Sequence, residues 1–328
     1  MRFIVRTVFA PSAAFLLAVL CPLAPAAAET VYVSNERGNS VSVIDPVAAK
    51  TIATWPVGER PRGIAISKDG RFLLVCVSND NAVKVIDRQT GKIVREIAAG
   101  QDPEQFVLST DGKTVFAANE NDAAVSAIDL ASGRVAFQVA VGKEPEGVAQ
   151  SPDGKWLVVT SEDESAVYWI DLATQQVASV MPTEKRPRHV EFTADGKALW
   201  IAAEVGGVVQ IADPQTRAIT ATIPFVIEGV QPYRVLPCGI RFTPDSKTAV
   251  VALGRADRIA LIDVATRTVR QTIPVGKRVW HLALSADGTR AYTANGLSDD
   301  VSVVDLAAGK TIATIPAGTA PWGAVAAP

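Results

Sequence analysis

The chain has 328 residues, and its 32 Lys and Arg against 34 Asp and Glu give a formal net charge of −2. A near-neutral chain with no basic run has little electrostatic reason to bind nucleic acid or an anionic membrane. Aromatic residues make up only 6%, while Val, Ile and Ala dominate the periodic segments, a composition suited to strand cores.

Residues 1–28 read as a secretory signal peptide. Arg2 and Arg6 supply the positive start, Val8–Leu23 the apolar stretch, and Ala26-Ala27-Ala28 a small-residue cleavage site. The stretch is short for a membrane anchor, and Leu20 is too bulky to precede a lipidated Cys21. Cleavage would leave Glu29 as the first residue, move the charge to −4, and deliver a periplasmic protein with no membrane span. Of the remaining cysteines, Cys76 and Cys238 sit in distant repeats. They are expected to be buried and unbridged.

From Thr30 onward the chain repeats. Segments of the type Ala82–Lys92, AVKVIDRQTGK, recur seven times, with their aspartates at 45, 87, 129, 171, 213, 263 and 305. The steps are 42 residues except for one of 50. A period in the low forties, with four short β-type runs in each, predicts a β-propeller. In one repeat the runs are Pro61–Ser67 (a), Phe72–Val77 (b), Val83–Asp87 (c) and Lys92–Ala98 (d). Asp-Gly turns such as Asp69-Gly70 join a to b. Each repeated aspartate is expected to cap the c–d turn.

No strand a precedes Thr30, yet the chain ends in a lone copy of it, Pro321–Ala326. The two ends must therefore complete one blade together. Residues 29–328 are thus expected to form one all-β, seven-bladed propeller of four-stranded antiparallel blades, sealed by its own termini.

The a–b and c–d turns are uniform, whereas the b–c and d–a loops vary. Function is expected on the varied face. The one insertion, in Phe225–Leu236, falls there too. Two positions at the start of strand a run Arg62, Glu104, Glu146, Arg188, Cys238, Trp280, Trp322, and then Gly63, Gln105, Gly147, His189, Gly239, His281, Gly323. Both histidines of the chain occupy the second row. One position in the b–c loops runs Glu36, Ser78, Glu120, Glu162, Glu204, Gly254, Gly296. The glycines there would leave room for the insertion or for a ligand.

Together these rows predict a polar pocket at the channel mouth. Arg62, Glu104, Glu146, Arg188, His189, Trp280, His281 and Trp322 would form its wall, with Tyr233 and Arg234 closing over it. Glu36, Glu120, Glu162 and Glu204 would make a second acidic ring, and the alternative is that these glutamates are solvated. Carboxylates beside imidazoles suit a metal or acid–base work, and tryptophans beside arginines suit a flat anionic ligand. Two histidines cannot make a three-His metal site. Nucleophile elbow, zincin, haem-attachment, phosphate-loop and dinucleotide motifs are all missing, so no cofactor is required by the sequence.

Val31-Tyr32-Val33-Ser34-Asn35 resembles the name motif of the YVTN family of β-propellers. Arg278–Leu282, Ala294–Val303, Pro321–Gly323 and the inserted Val230–Ile240 resemble its subgroup associated with pyrroloquinoline quinone-dependent catabolism. The resemblance implies an exported protein working beside a periplasmic quinoprotein dehydrogenase or c-type cytochrome. It carries over no catalytic residue and does not imply that this chain holds the quinone. The reading that follows is a non-catalytic binding or accessory protein for a partner or a small ligand. The alternative is a lactonase- or lyase-type propeller using His, Glu and Arg at the channel mouth, by analogy of fold.

Overall fold

The structure is a computed structural model that describes residues 1, 3–4 and 29–328, so the expected signal peptide lies almost wholly outside the described residues. No helix among the described residues is long and apolar enough to cross a membrane. The described chain folds into seven four-stranded antiparallel sheets. The second blade is typical, with Pro61–Ile66 as a, Phe72–Val77 as b, Ala82–Asp87 as c and Ile93–Ala98 as d.

Burial follows from position in the ring. Strand b is buried along most of its length, because both of its faces meet neighbouring sheets. Strand d of the first blade, Lys50–Pro56, alternates because only one face reaches a neighbour. The core is divided among the seven blade interfaces, each filled by its own apolar cluster. Trp169 packs edge-on against Phe192 at 6.0 Å, and Trp200 against Phe242 at 5.4 Å. Cys76 and Cys238 are buried and unbridged in the second and sixth blades.

The uniform turns are held by their own side chains. Asp45, Asp87, Asp129, Asp171, Asp213, Asp263 and Asp305 each accept backbone N–H bonds from the c–d turn that follows. In the a–b turns a Ser or Thr hydroxyl donates to an aspartate two residues on, as Ser67 does to Asp69 and Thr243 to Asp245. Gly70 takes φ +73° there, and Ser246 holds the equivalent conformation at φ 57°.

The termini meet as expected. Pro321–Ala327 pairs with Thr30–Asn35, placing Thr30 opposite Ala327 and Val33 opposite Ala324. Glu29 accepts hydrogen bonds from the buried Tyr292 hydroxyl and from the Ala286 amide, tying the residue before the first strand to the seventh blade. The inserted Phe225–Leu236 loop is pinned by buried Phe225 and Val235 between the fifth and sixth blades.

A truncation before Ala320 removes the fourth strand of the closing blade and exposes an unpaired edge. It is expected to abolish the monomer peak on gel filtration. Moving residues 320–328 ahead of Glu29 through a short linker is expected to restore that peak, since the paired ends lie side by side.

Candidate functional site

The residue before strand a holds a left-handed conformation in every blade. Arg60, Asp102, Glu144, Arg186, Leu236, Arg278 and Ala320 have φ between 45° and 62°. None is glycine, so seven strained positions recur, each costing on the order of 1–3 kcal/mol. The carbonyl of each accepts a hydrogen bond from the b–c loop amide of its own blade, for example Glu204 N to Arg186 O at 2.8 Å. This ties the b–c row to the start of strand a. The a–b register then shifts within the first few residues of strand a, as between Pro187 and His189. Such a bulge re-aims side chains, and here it delivers the two strand-a rows to the axis.

The predicted wall residues do converge, but they bury one another. Glu104, Glu146, Arg188, His189, His281 and Trp322 are all buried. Arg188 contacts Glu146, Glu162 (3.1 Å) and Glu204 (3.2 Å). Arg186 reaches Glu162 at 2.6 Å, and Arg278 reaches Glu204 at 2.6 Å. Across the axis, Arg62 pairs with Glu36 (2.8 Å) and with Glu104, while Arg60 bridges Asp102 (2.8 Å) and Glu104 (3.1 Å). The Trp280 ring meets the guanidinium groups of Arg278 (3.6 Å) and Arg188 (5.0 Å). Trp322 stacks on His281 at 4.3 Å, and His281 meets His189 at 5.4 Å.

The expected mouth on this face is therefore a plug rather than a pocket. Glu162 and Glu204 are buried ion-pair partners, and the solvated alternative does not hold for them. The glycines of the b–c row also serve the plug. A Cβ on Gly296 would stand 2.5 Å from Trp280 Nε1, and one on Gly254 would stand 2.5 Å from Arg278 Nη1. Only Gly254 also gives way to the insertion, at the Leu236 carbonyl, 2.8 Å from such a Cβ. Tyr233 and Arg234 do not close over the site. Both are exposed, and Arg234 Nη2 donates at 3.4 Å to the Arg255 carbonyl.

The histidine row has a packing cause. Around the ring it alternates glycine with a large residue, from Gly63 and Gln105 to Gly239 and His281. A Cβ on Gly147 would lie 2.9 Å from His189 Cα, and one on Gly239 2.8 Å from His281 Nδ1. Each large side chain uses the space its glycine neighbour leaves.

Electrostatics follow from this burial. Burial would raise the Glu146 carboxyl, but Arg188, a hydrogen bond from Glu162 and Arg62 outweigh it and hold it well below the usual range. Glu162 is pushed up by burial and by the Glu146 charge beside it. The two carboxyls are thus driven in opposite directions, Glu146 toward its ionised form and Glu162 toward its protonated form. Burial lowers both His189 and His281 and keeps the rings neutral. Asp102, Glu104 and Glu120 bring one carboxylate oxygen each within 4.8 Å of one another, the sole such grouping among the described residues. Arg60 and Arg62 already neutralise part of it.

Sequence reasoning missed Arg60, Asp102, Arg186 and Arg278. All four lie two residues upstream of the Arg62–Trp322 row. It also missed Glu191 and Arg241, which belong to a later position of strand a.

Among comparisons with known proteins, a family described as YNCE-like beta-propeller matches residues 23–107 and 149–321. No curated protein matches the chain in sequence. A chain of Kuenenia stuttgartiensis hydrazine synthase is 25% identical, with TM-score 0.76 over 84% of this chain and 92% of that one. A functionally unknown protein from Desulfotomaculum acetoxidans is 14% identical, with TM-score 0.77 over 90% of this chain and 98% of that one. The dihydro-heme d1 dehydrogenase NirN, solved with DHE, is 19% identical, with TM-score 0.68 over 94% of this chain and 77% of that one.

A carboxyl whose pKa rises on folding contributes stability below its unfolded pKa, about 4.3, and that stability is lost as pH climbs through the raised folded value. Glu162→Gln mimics the protonated form. It is expected to match the parent near pH 4 within about 0.5 kcal/mol and to exceed it increasingly from there to pH 7 in urea denaturation, because folding the parent above the unfolded pKa takes up a proton. Adding Glu146→Gln strips Arg188 of both shared carboxyls and is expected to cost about 3–5 kcal/mol.

Proposed function

The chain belongs to the YNCE-like β-propeller family, and from that premise we propose that it is an exported, non-catalytic accessory protein that docks a partner on its b–c/d–a face. The observation that carries this reading is the plug. A channel mouth filled by paired Arg and Glu offers no concave site to a small substrate from this side. Its imidazoles are buried and neutral, and its carboxylates are held by guanidinium groups. A lactonase or lyase needs such groups free at a reacting atom.

What remains is a broad rim of loops suited to a protein surface. Acidic side chains outnumber basic ones on these loops, while the a–b and c–d turns are balanced in charge. Val205, Val226, Tyr233 and Leu297 stand exposed among the loops and the insertion. An apolar group within a charged rim is the usual anatomy of a transient interface. The acidic balance favours a partner with a basic docking face. The proposed partner is a periplasmic quinoprotein dehydrogenase or c-type cytochrome, in keeping with the family resemblance read from the sequence. The likeness to a chain of a hydrazine synthase supports a place beside an enzyme.

Titrating the purified protein with a quinoprotein dehydrogenase and its c-type cytochrome is expected to give binding to one of them. That binding should weaken about tenfold or more between low and physiological salt. Tyr233→Ala with Leu297→Asp is expected to abolish it without moving the melting temperature. Lactone hydrolysis is expected to be absent. Turnover that vanishes in both His189→Ala and His281→Ala would replace this reading with the enzymatic one.

A further inference from the structure

Strand a carries a third informative row. Its fifth position reads Ala65, Val107, Ala149, Glu191, Arg241, Ala283 and Val325 around the ring. Five small apolar residues and two neighbouring opposite charges thus share one level of the channel. That level lines a cavity of about 620 Å³, within the roughly 300–1,000 Å³ of small-molecule sites. The cavity follows the last residues of strand a and reaches the a–b turns at Pro152, Pro244 and Ser285, at the opposite end from the plug. Its wall is mostly apolar, with Ile64, Phe106, Val148, Val190, Phe192 and Leu284 among the lining residues.

The polar corner is only half used by the protein. Arg241 Nη1 donates to Glu191 Oε2 at 2.5 Å and to the Ile240 carbonyl at 2.9 Å, and lies 3.1 Å from His189 Nε2. His189 Nε2 also lies 3.3 Å from Glu191 Oε2, so the imidazole edge sits against both members of the ion pair. The other Arg241 nitrogens and Glu191 Oε1 make no hydrogen bond among the described residues. Packing does not demand this pair, because Ala and Val fill the same level in five blades. A partly buried ion pair is often no more stable than the apolar residues it replaces, so its presence here calls for a use.

We propose that this cavity binds an uncharged amphipathic small molecule, with its apolar body along the wall and a head that accepts from Arg241 and donates to Glu191, as a hydroxyl does. The charges of the corner already sum to zero. An anionic or cationic head would be buried with no counter-charge of its own, whereas a hydroxyl satisfies one open donor and one open acceptor at once. The site is separate from the proposed docking face and stands whether or not that docking occurs.

Calorimetric titration of the full chain with 1-octanol, octanoate and octylammonium tests this, since the three share a body and differ in head charge. One molecule of 1-octanol per chain is expected, at least about tenfold tighter than either ion, a difference of about 1.4 kcal/mol. Ala65→Phe, which fills the cavity, is expected to abolish binding. Glu191→Val with Arg241→Val, which completes the apolar ring, is expected to weaken 1-octanol tenfold while leaving the melting temperature unchanged. If that pair of substitutions fails to fold, Ala65→Phe decides alone. Absence of binding, equal or tighter binding of an ion, or 1-octanol binding that survives Ala65→Phe would overturn the proposal.

Discussion

A ring of sheets has one gap that no internal repeat can fill, and the pairing of Pro321–Ala327 with Thr30–Asn35 fills it. Every blade is stabilised mainly by the apolar cluster it shares with its neighbours. Leaving the gap open would strip two of those interfaces and expose a sheet edge. The last strand therefore stabilises the first, and a contact is held across nearly the whole length of the described propeller. Tyr292 and Glu29 reinforce the same seam from the seventh blade.

Closure sets the second constraint. Seven copies of strand a are brought to one axis, where their side chains compete for little space. The chain resolves this by alternating glycine with bulk in one row and by pairing charge in the next. His189 and His281 are large members of an alternation whose third is Gln105. The arginines and glutamates are tolerated in a buried place because the charges are paired, with Arg188 meeting three carboxylates and Arg62 and Arg186 two each. The seven left-handed residues before strand a are strain that this convergence imposes, held by one backbone hydrogen bond in each blade.

The consequence is a molecule with two unlike ends. The loop end is sealed, acidic and studded with exposed apolar residues. The turn end is uniform in its backbone and opens into a mostly apolar channel with one charged corner, Glu191 and Arg241. Regular turns need not mean an end without function, since a channel inherits its opening from whichever end is left unfilled.

Much of the architecture was written in the chain: the period of 42 residues, the Asp-Gly turns, the capping aspartates and the orphan final strand specify blade count, strand order and closure, because each is a local pattern repeated seven times. The rows of Arg, Glu, His and Trp at the axis were equally legible as rows. Whether they line a pocket or fill it was not, because that depends on distances between blades that have no counterpart along the chain. Arg186 and Arg278 became visible as partners only when the left-handed turn and the bulge swung them onto Glu162 and Glu204. Glu191 and Arg241 lie 50 residues apart and read singly as surface charges, and only the curvature of the ring makes them neighbours at 2.5 Å. Repetition encodes the wheel, but the meeting of unlike blades at the hub is a tertiary fact, since side chains there answer to neighbours the sequence never places beside them.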